Sequence, residues 1–407
     1  MSLWRQSILT WMGALVAAGL AFATQVCLAR HLSPEIFGMV SNGYAISVLV
    51  ATFGFQGVGE VILRRGKAIS PVSCLRSAMI FIAVALSAAT IWIGVSDEGR
   101  TSSGLMLAFI PFTLIQGGVI AGMIGFQLRG HRFGIAGWPV GFQAGRLIIV
   151  LGIVLVGGST IAIPIGWAVV MIPMAWLGIQ ALYHPRPEGE DRSRGASSTG
   201  HITRSALPFA TTRVLEFAEV QLAVILAVAF LGPGAGGLVA VTLTVIQGLL
   251  LLPISVFQRL LRARLHEWGE TDRPRLIKVA LTGTGLMFLA GVIFSLAIRP
   301  FSQWIVVQAF GSEFQDAGAF LATTLLILPI WFASITINAA LVTPRDAALR
   351  TFSQGIGIAM LALVVSFGQS QASLNGILAG LALCQTVLLV SGLVILLTGR
   401  RPTSTVR

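Results

Sequence analysis

Twelve stretches of roughly 20 apolar residues, joined by short loops that hold almost all the charge, leave this 407-residue chain one class of fold. Only a helix satisfies every backbone hydrogen bond within a single crossing of a hydrocarbon layer, so each stretch is expected to be a transmembrane helix. The stretches run at about 8–29, 36–62, 76–95, 104–127, 138–157, 160–182, 205–230, 235–259, 277–298, 317–341, 350–367 and 374–397. Composition agrees, with 55% apolar and only 10% charged residues, whereas soluble domains are about one quarter charged.

The net charge of +12 would suggest nucleic acid if it formed one patch. It is instead divided by side. Alternating the loops puts 22 of the 27 Lys and Arg residues on one side and 3 on the other (Arg30, Arg100 and Arg299), with Arg146 and Arg213 inside spans. By the positive-inside rule both termini are expected in the cytoplasm, and no nucleic-acid partner is expected. Residues 12–23, ending Ala21-Phe22-Ala23, resemble a signal peptide, but the apolar run continues to Ala29 and is read as a retained first helix. Cys27, Cys74 and Cys384 have no paired spacing, and the five histidines fall near interfaces or in loops without ligand spacing. No metal or cofactor is expected, and no Walker A loop points to ATP.

The chain repeats itself. Leu32-Ser-Pro-Glu-Ile-Phe-Gly38 returns 199 positions later as Leu231-Gly-Pro-Gly-Ala-Gly-Gly237, and Arg65 falls on Arg264 at the same offset. The expected organisation is a six-helix lobe over 1–182, a cytoplasmic linker over 183–204 and a second lobe over 205–407. The linker is rich in Pro, Gly, Ser and charge. An even number of crossings per half makes the repeat parallel, and the fold class is an all-α integral membrane protein of two six-helix pseudo-repeats around a central cavity. Ser33 is a suitable N-cap, Pro34 fits a first helical turn, and Gly38 and Gly237 permit close helix approach. Pro111, Pro164, Pro173, Pro253 and Pro329 are candidate bends.

Charges inside spans carry the functional signal, because even the milder scales set about 2.5–3.5 kcal/mol against each one at a helix centre. Arg146 and Arg213 each lie about eight residues, or roughly 12 Å, into their spans. Glu216 and Glu219 follow Arg213 at intervals of three, on one helix face. Two readings stand: an internal Arg213–Glu216 pair, or a polar, substrate-binding cavity between the halves lined by Arg213, Arg146, Glu216 and Gln143, in which the two arginines bind an anionic group. In the second, Glu219 is the candidate for a coupling proton or sodium ion. Glu60, Arg64 and Arg65 form another cluster, read as topology-setting charge or as a gate for an incoming lipid phosphate.

The stretch Leu28-Ala-Arg-His-Leu-Ser-Pro-Glu-Ile-Phe-Gly38, followed by Phe53-Gly-Phe-Gln-Gly-Val-Gly-Glu-Val-Ile-Leu-Arg-Arg65, resembles the start of a polysaccharide flippase. These O-antigen-type exporters belong to the multidrug/oligosaccharidyl-lipid/polysaccharide superfamily. The resemblance implies transport of a polyprenyl-pyrophosphate-linked oligosaccharide from the cytoplasmic to the outer leaflet of a bacterial plasma membrane. It also implies membrane lipids and a polysaccharide polymerase or export machinery as partners, with Arg213 and Arg146 holding pyrophosphate. A cation-coupled multidrug exporter of the same superfamily is the alternative, kept open by Glu216 and Glu219. A membrane polymerase or ligase would be expected to place catalytic residues in a large outward loop, which the sequence lacks; the chain is not expected to be an enzyme.

Overall fold

A computed structural model describes residues 3–65, 71–95, 103–183, 199–367 and 374–398. Residues 184–198 of the expected linker lie outside these, as do Lys67, Arg100 and the C-terminal arginines. Among the described residues there is no strand, and twelve helices are long and apolar enough to cross a membrane. They are Thr10–His31, Pro34–Leu63, Val72–Thr90, Gly104–Arg129, Phe133–Val156, Ala162–Leu182, Thr199–Leu231, Pro233–Gln258, Arg273–Phe310, Ser312–Ala339, Arg345–Phe367 and Leu374–Thr398. We number them as spans 1 to 12. The chain is a multi-pass membrane protein.

Two spans depart from the sequence expectation. Residues 299–310 were assigned to an outward loop, yet the chain makes one 3-10 turn at Arg299–Phe301 and then a helix, Ser302–Phe310, that extends span 9. Pro300 bends the path, and the apolar run Trp304-Ile-Val-Val307 sustains the helix beyond it. The helix of span 7 begins at Thr199, so Arg213 lies 14 residues in, about 21 Å along the axis and near its middle. The polar stretch Thr199–Arg204 does not look like membrane, but nothing in it breaks a helix. Pro139 and Pro208, which the sequence reading passed over, also lie inside helices.

The contacts divide the chain into two compact units, Met1–Gly237 and Leu238–Arg407. Span 7 packs within the first. Its buried Ile202, Ala206 and Ala210 present a narrow surface on which spans 2 and 3 close, with Ile202 and Ala206 meeting Val58, Val61, Ile62 and Ala78. The Thr203 hydroxyl donates to Ser77 Oγ, which itself donates to the Thr199 carbonyl. In lipid, helices gain little by hiding apolar surface from one another, so small residues that let backbones approach do much of the work. Spans 4 and 6 follow that rule: Gly118, Gly122 and Gly125 face Ala175, Gly178 and Ala181. In the second unit, Gly291 of span 9 lies against Pro329 of span 10, and Gly357 of span 11 against Cys384 of span 12.

Both copies of the repeated corner are turns between spans. Ser33 caps span 2 by accepting from the Ile36 amide, with Pro34 in the first helical turn. The second corner puts Gly232 there at φ 94°, a left-handed conformation that explains why glycine replaces serine. The two corners pack on each other reciprocally. A Cβ on Gly38 would fall 1.9 Å from the Pro233 carbonyl oxygen, and one on Gly237 would fall 2.2 Å from that of Pro34.

Candidate functional site

Arg213 and Arg146, the two arginines that the sequence places inside spans, each sit in a polar cluster within Met1–Gly237. In the first, Arg213 Nη2 donates to Glu60 Oε1 at 2.5 Å and Nη1 donates to Glu216 Oε2 at 2.8 Å. Span 7 supplies Arg213 and Glu216 one turn apart, while Glu60 reaches across from Gly57–Arg65, the last helical stretch of span 2. Gly57 is what permits this reach. Its missing side chain lets span 2 lie directly on Ala210, where an added Cβ would meet the Ala210 Cβ at 2.4 Å. The three side chains remain 32%, 27% and 24% exposed for Arg213, Glu60 and Glu216. Glu60 thus pairs across helices as well as sharing a helix face with Arg64. The side chains of Arg64 and Arg65 lie outside the described ones, and Glu219 is half-buried further along span 7.

The second cluster surrounds Arg146, which is 1% exposed. Its Nη1 donates to the Tyr44 hydroxyl at 3.0 Å and to Gln143 Oε1 at 2.9 Å. The guanidinium carbon lies 4.1 Å from the centre of the Tyr44 ring and 4.4 Å from that of Trp167. The Trp167 indole N–H donates back to the Arg146 carbonyl. Phe112 adds a further wall against Tyr44 and Trp167. Nε and Nη2 of Arg146 have no hydrogen-bond partner among the described residues.

The two arginines have different partners: one guanidinium holds two carboxylates, the other a phenol and an amide. Tyr44 and Trp167 were missed by the sequence reading. Tyr44 is one of only two tyrosines in the chain and lies mid-span, a signal that could have found it. Beyond Phe109, spans 2, 3 and 4 enclose an apolar cavity of about 210 Å³, whose Ser47 and Thr113 hydroxyls bond to each other.

No family model matches the chain. Uncharacterized proteins of Mycobacterium tuberculosis and Mycobacterium bovis are 26% identical over 237 residues, covering 56% of this chain and 52% of each relative. The chain spans about half the length of the curated relatives it matches. Among solved structures, the lipid II flippase MurJ in an inward closed conformation superimposes with a TM-score of 0.69 at 15% identity, covering 96% of this chain and 87% of that one. An inward-facing multidrug resistance MATE family transporter of the MOP superfamily gives 0.64 at 14% identity, covering 93% of each chain. An outward-facing member gives 0.62 at 15%, covering 96% and 93%. The chain has the fold of these transporters. At such identities the likeness is one of fold alone, so the choice of substrate rests on the two clusters.

Proposed function

We propose that the protein is a membrane transporter that moves a polyprenyl-pyrophosphate-linked oligosaccharide from the cytoplasmic to the outer leaflet by alternating access. The observation that carries this reading is the partly exposed Arg213 guanidinium, placed mid-span between two carboxylates. Planar, multiple donors suit phosphate as well as carboxylate, so a pyrophosphate group can replace Glu60 and Glu216 on the same fork. Likeness in fold to a lipid II flippase supports a lipid-linked substrate. Arg146 and Gln143, closed in by aromatic rings, then serve as an internal brace that fixes span 5 against spans 2 and 6. Glu219 remains the candidate for a coupling ion, and Arg64 and Arg65 for a gate at the cytoplasmic mouth.

In this reading the two halves are duplicated six-span lobes with both termini in the cytoplasm, which the 22-to-3 charge split favours. Mycobacterial relatives support a bacterial plasma membrane. The cluster favours one second reading: two carboxylates for one arginine also suit a cation-coupled exporter of cationic drugs. Deleting the gene and analysing lipids separates the two. Accumulated lipid-linked oligosaccharide on the cytoplasmic face supports flipping; normal glycan with altered drug sensitivity supports the exporter. Arg213→Ala is expected to reproduce the deletion while the protein still accumulates in the membrane. Unchanged transport by that variant removes Arg213 from the mechanism.

A further inference from the structure

The apolar cavity beyond Phe109 belongs to neither arginine cluster. Span 2 forms its floor, and spans 3 and 4 form its walls. Each wall packs on span 2, yet among the described residues the two walls scarcely touch each other, which leaves a cleft between them. Gly43 lets the Phe109 ring lie against span 2, where an added Cβ would fall 2.4 Å from the ring. Gly43, Ser47, Phe109 and Thr113 are buried at the bottom, whereas Leu107, 58% exposed, and Thr90 stand at the edge. Both edge residues belong to membrane-spanning helices, so hydrocarbon chains rather than water meet the opening.

The lining offers a ligand only apolar contact. Ser47 donates to the Gly43 carbonyl at 2.8 Å, and Thr113 Oγ1 lies 2.8 Å from Ser47 Oγ and 2.9 Å from the Phe109 carbonyl. Neither hydroxyl has a proton left over, and none of the lining residues is charged. An apolar cavity of about 150 Å³ stays dry and takes up benzene. A space of about 210 Å³ therefore takes a hydrocarbon segment of roughly six to eight carbons. Left empty, it would forfeit dispersion contacts along every wall.

We propose that this cleft seats one acyl chain of a bilayer phospholipid, entering sideways between spans 3 and 4. The seated chain rests on Phe109, whose ring also meets Phe112 and Trp167. Trp167 in turn lies on the Arg146 guanidinium, so the lipid fills in behind the wall of that cage. The prenyl tail of a transported lipid is the competing source of hydrocarbon. The Arg213 cluster, however, meets span 2 at Glu60, about 20 Å beyond Ser47, and the cleft itself holds no group for a charged head. The seat is independent of the transport reading above.

The test uses full-length protein in phosphatidylcholine bilayers with a trace of the same lipid bearing a diazirine along one acyl chain. After irradiation, adducts are mapped by mass spectrometry. Bulk lipid marks exposed side chains such as Val84 and Leu114. No residue of Gly43–Ser47 is exposed, so adducts there need a chain inside the cleft, and they are expected. Ala89→Trp, which fills the cleft from span 3, should remove them and leave those at Val84 and Leu114 unchanged. Adducts confined to exposed side chains overturn the proposal, and so do floor adducts that persist in Ala89→Trp. A prenyl phosphate added to the bilayer should displace no more floor adduct than an equal amount of unlabelled phospholipid. Preferential displacement gives the cleft to prenyl tails and overturns its assignment to bilayer lipid. If Ala89→Trp does not accumulate, the parent's floor adducts and the prenyl competition decide.

Discussion

Replacing Arg146 with methionine should leave the fold about as stable as before, although the side chain is among the largest that are fully buried. Two ring faces hold the guanidinium, each contributing about 2 kcal/mol when desolvated. Two hydrogen bonds from the charged group add about 1.5–3 kcal/mol apiece. Against this stand several kcal/mol for removing a cation from water without a carboxylate partner. The two donors without acceptors, Nε and Nη2, cost a further 1–3 kcal/mol each, roughly. The opposing sums agree to within a few kcal/mol. Methionine fills much of the same volume and keeps the rings apart, while Tyr44 and Gln143 are only partly buried. We therefore expect Arg146→Met to lie within about 1.5 kcal/mol of the parent, measured by reversible unfolding in mixed micelles of rising SDS fraction. Trp167→Ala, which empties the fully buried wall of the same cage, should cost about 3–5 kcal/mol. A loss above roughly 3 kcal/mol for Arg146→Met, in protein that inserts normally, would show that the cage stabilises the cation far more than these terms allow.

Other outcomes follow from the same geometry. Gly38→Ala and Gly237→Ala each force the two corners apart and should cost about 1–3 kcal/mol; because one separation relieves both clashes, the double variant should lose much less than the sum, and strict additivity would refute the reciprocal contact. A double-mutant cycle of Glu60→Gln with Arg213→Gln should give a coupling of about 1 kcal/mol, since both groups are partly exposed; zero coupling would mean that the pair does not hold span 2 to span 7. Outside the spans, burial and then the Arg262 charge lower the pKa of His266. Its neutral form is favoured in the folded state, so its contribution is present above the ordinary histidine range and is lost as pH falls. NMR titration should find Arg262→Gln shifting His266 upward, and an unchanged midpoint would exclude the Arg262 contribution.

The span count was legible because a membrane helix announces itself by length and hydropathy. The corners were legible too, since Ser33, Pro34 and Gly38 act through local backbone rules. What could not be read was pairing at a distance. Glu60 has Arg64 one turn away in sequence, yet it also pairs with Arg213, 153 positions on. Packing of Gly57 against Ala210 makes that reach possible. Arg146 stood out by charge, yet its cage comes from aromatic residues on spans 2 and 6 that look like ordinary core. The extent of span 9 was hidden by Arg299 and Pro300, which mimic a loop but only bend a helix. Short π segments, Thr52–Gln56 in span 2 and Ile254–Leu260 in span 8, arise where an extra residue finds room, and only Pro253, just before the second, gave a sign of either.

The reciprocal seating of Gly38 on Pro233 and of Gly237 on Pro34 has the form of an isologous interface, in which one patch meets its own copy across a two-fold axis. Two separate six-span chains could make that same contact. The corner is thus the kind of surface on which a homodimer forms, and gene fusion would preserve it while freeing the copies to specialise. Their specialisation is visible one helix away, where Arg213 and Glu216 have Ala14 and Ala17 as their counterparts at the repeat offset. At that offset the cluster has no charged counterpart, so it belongs to one copy of the repeat alone.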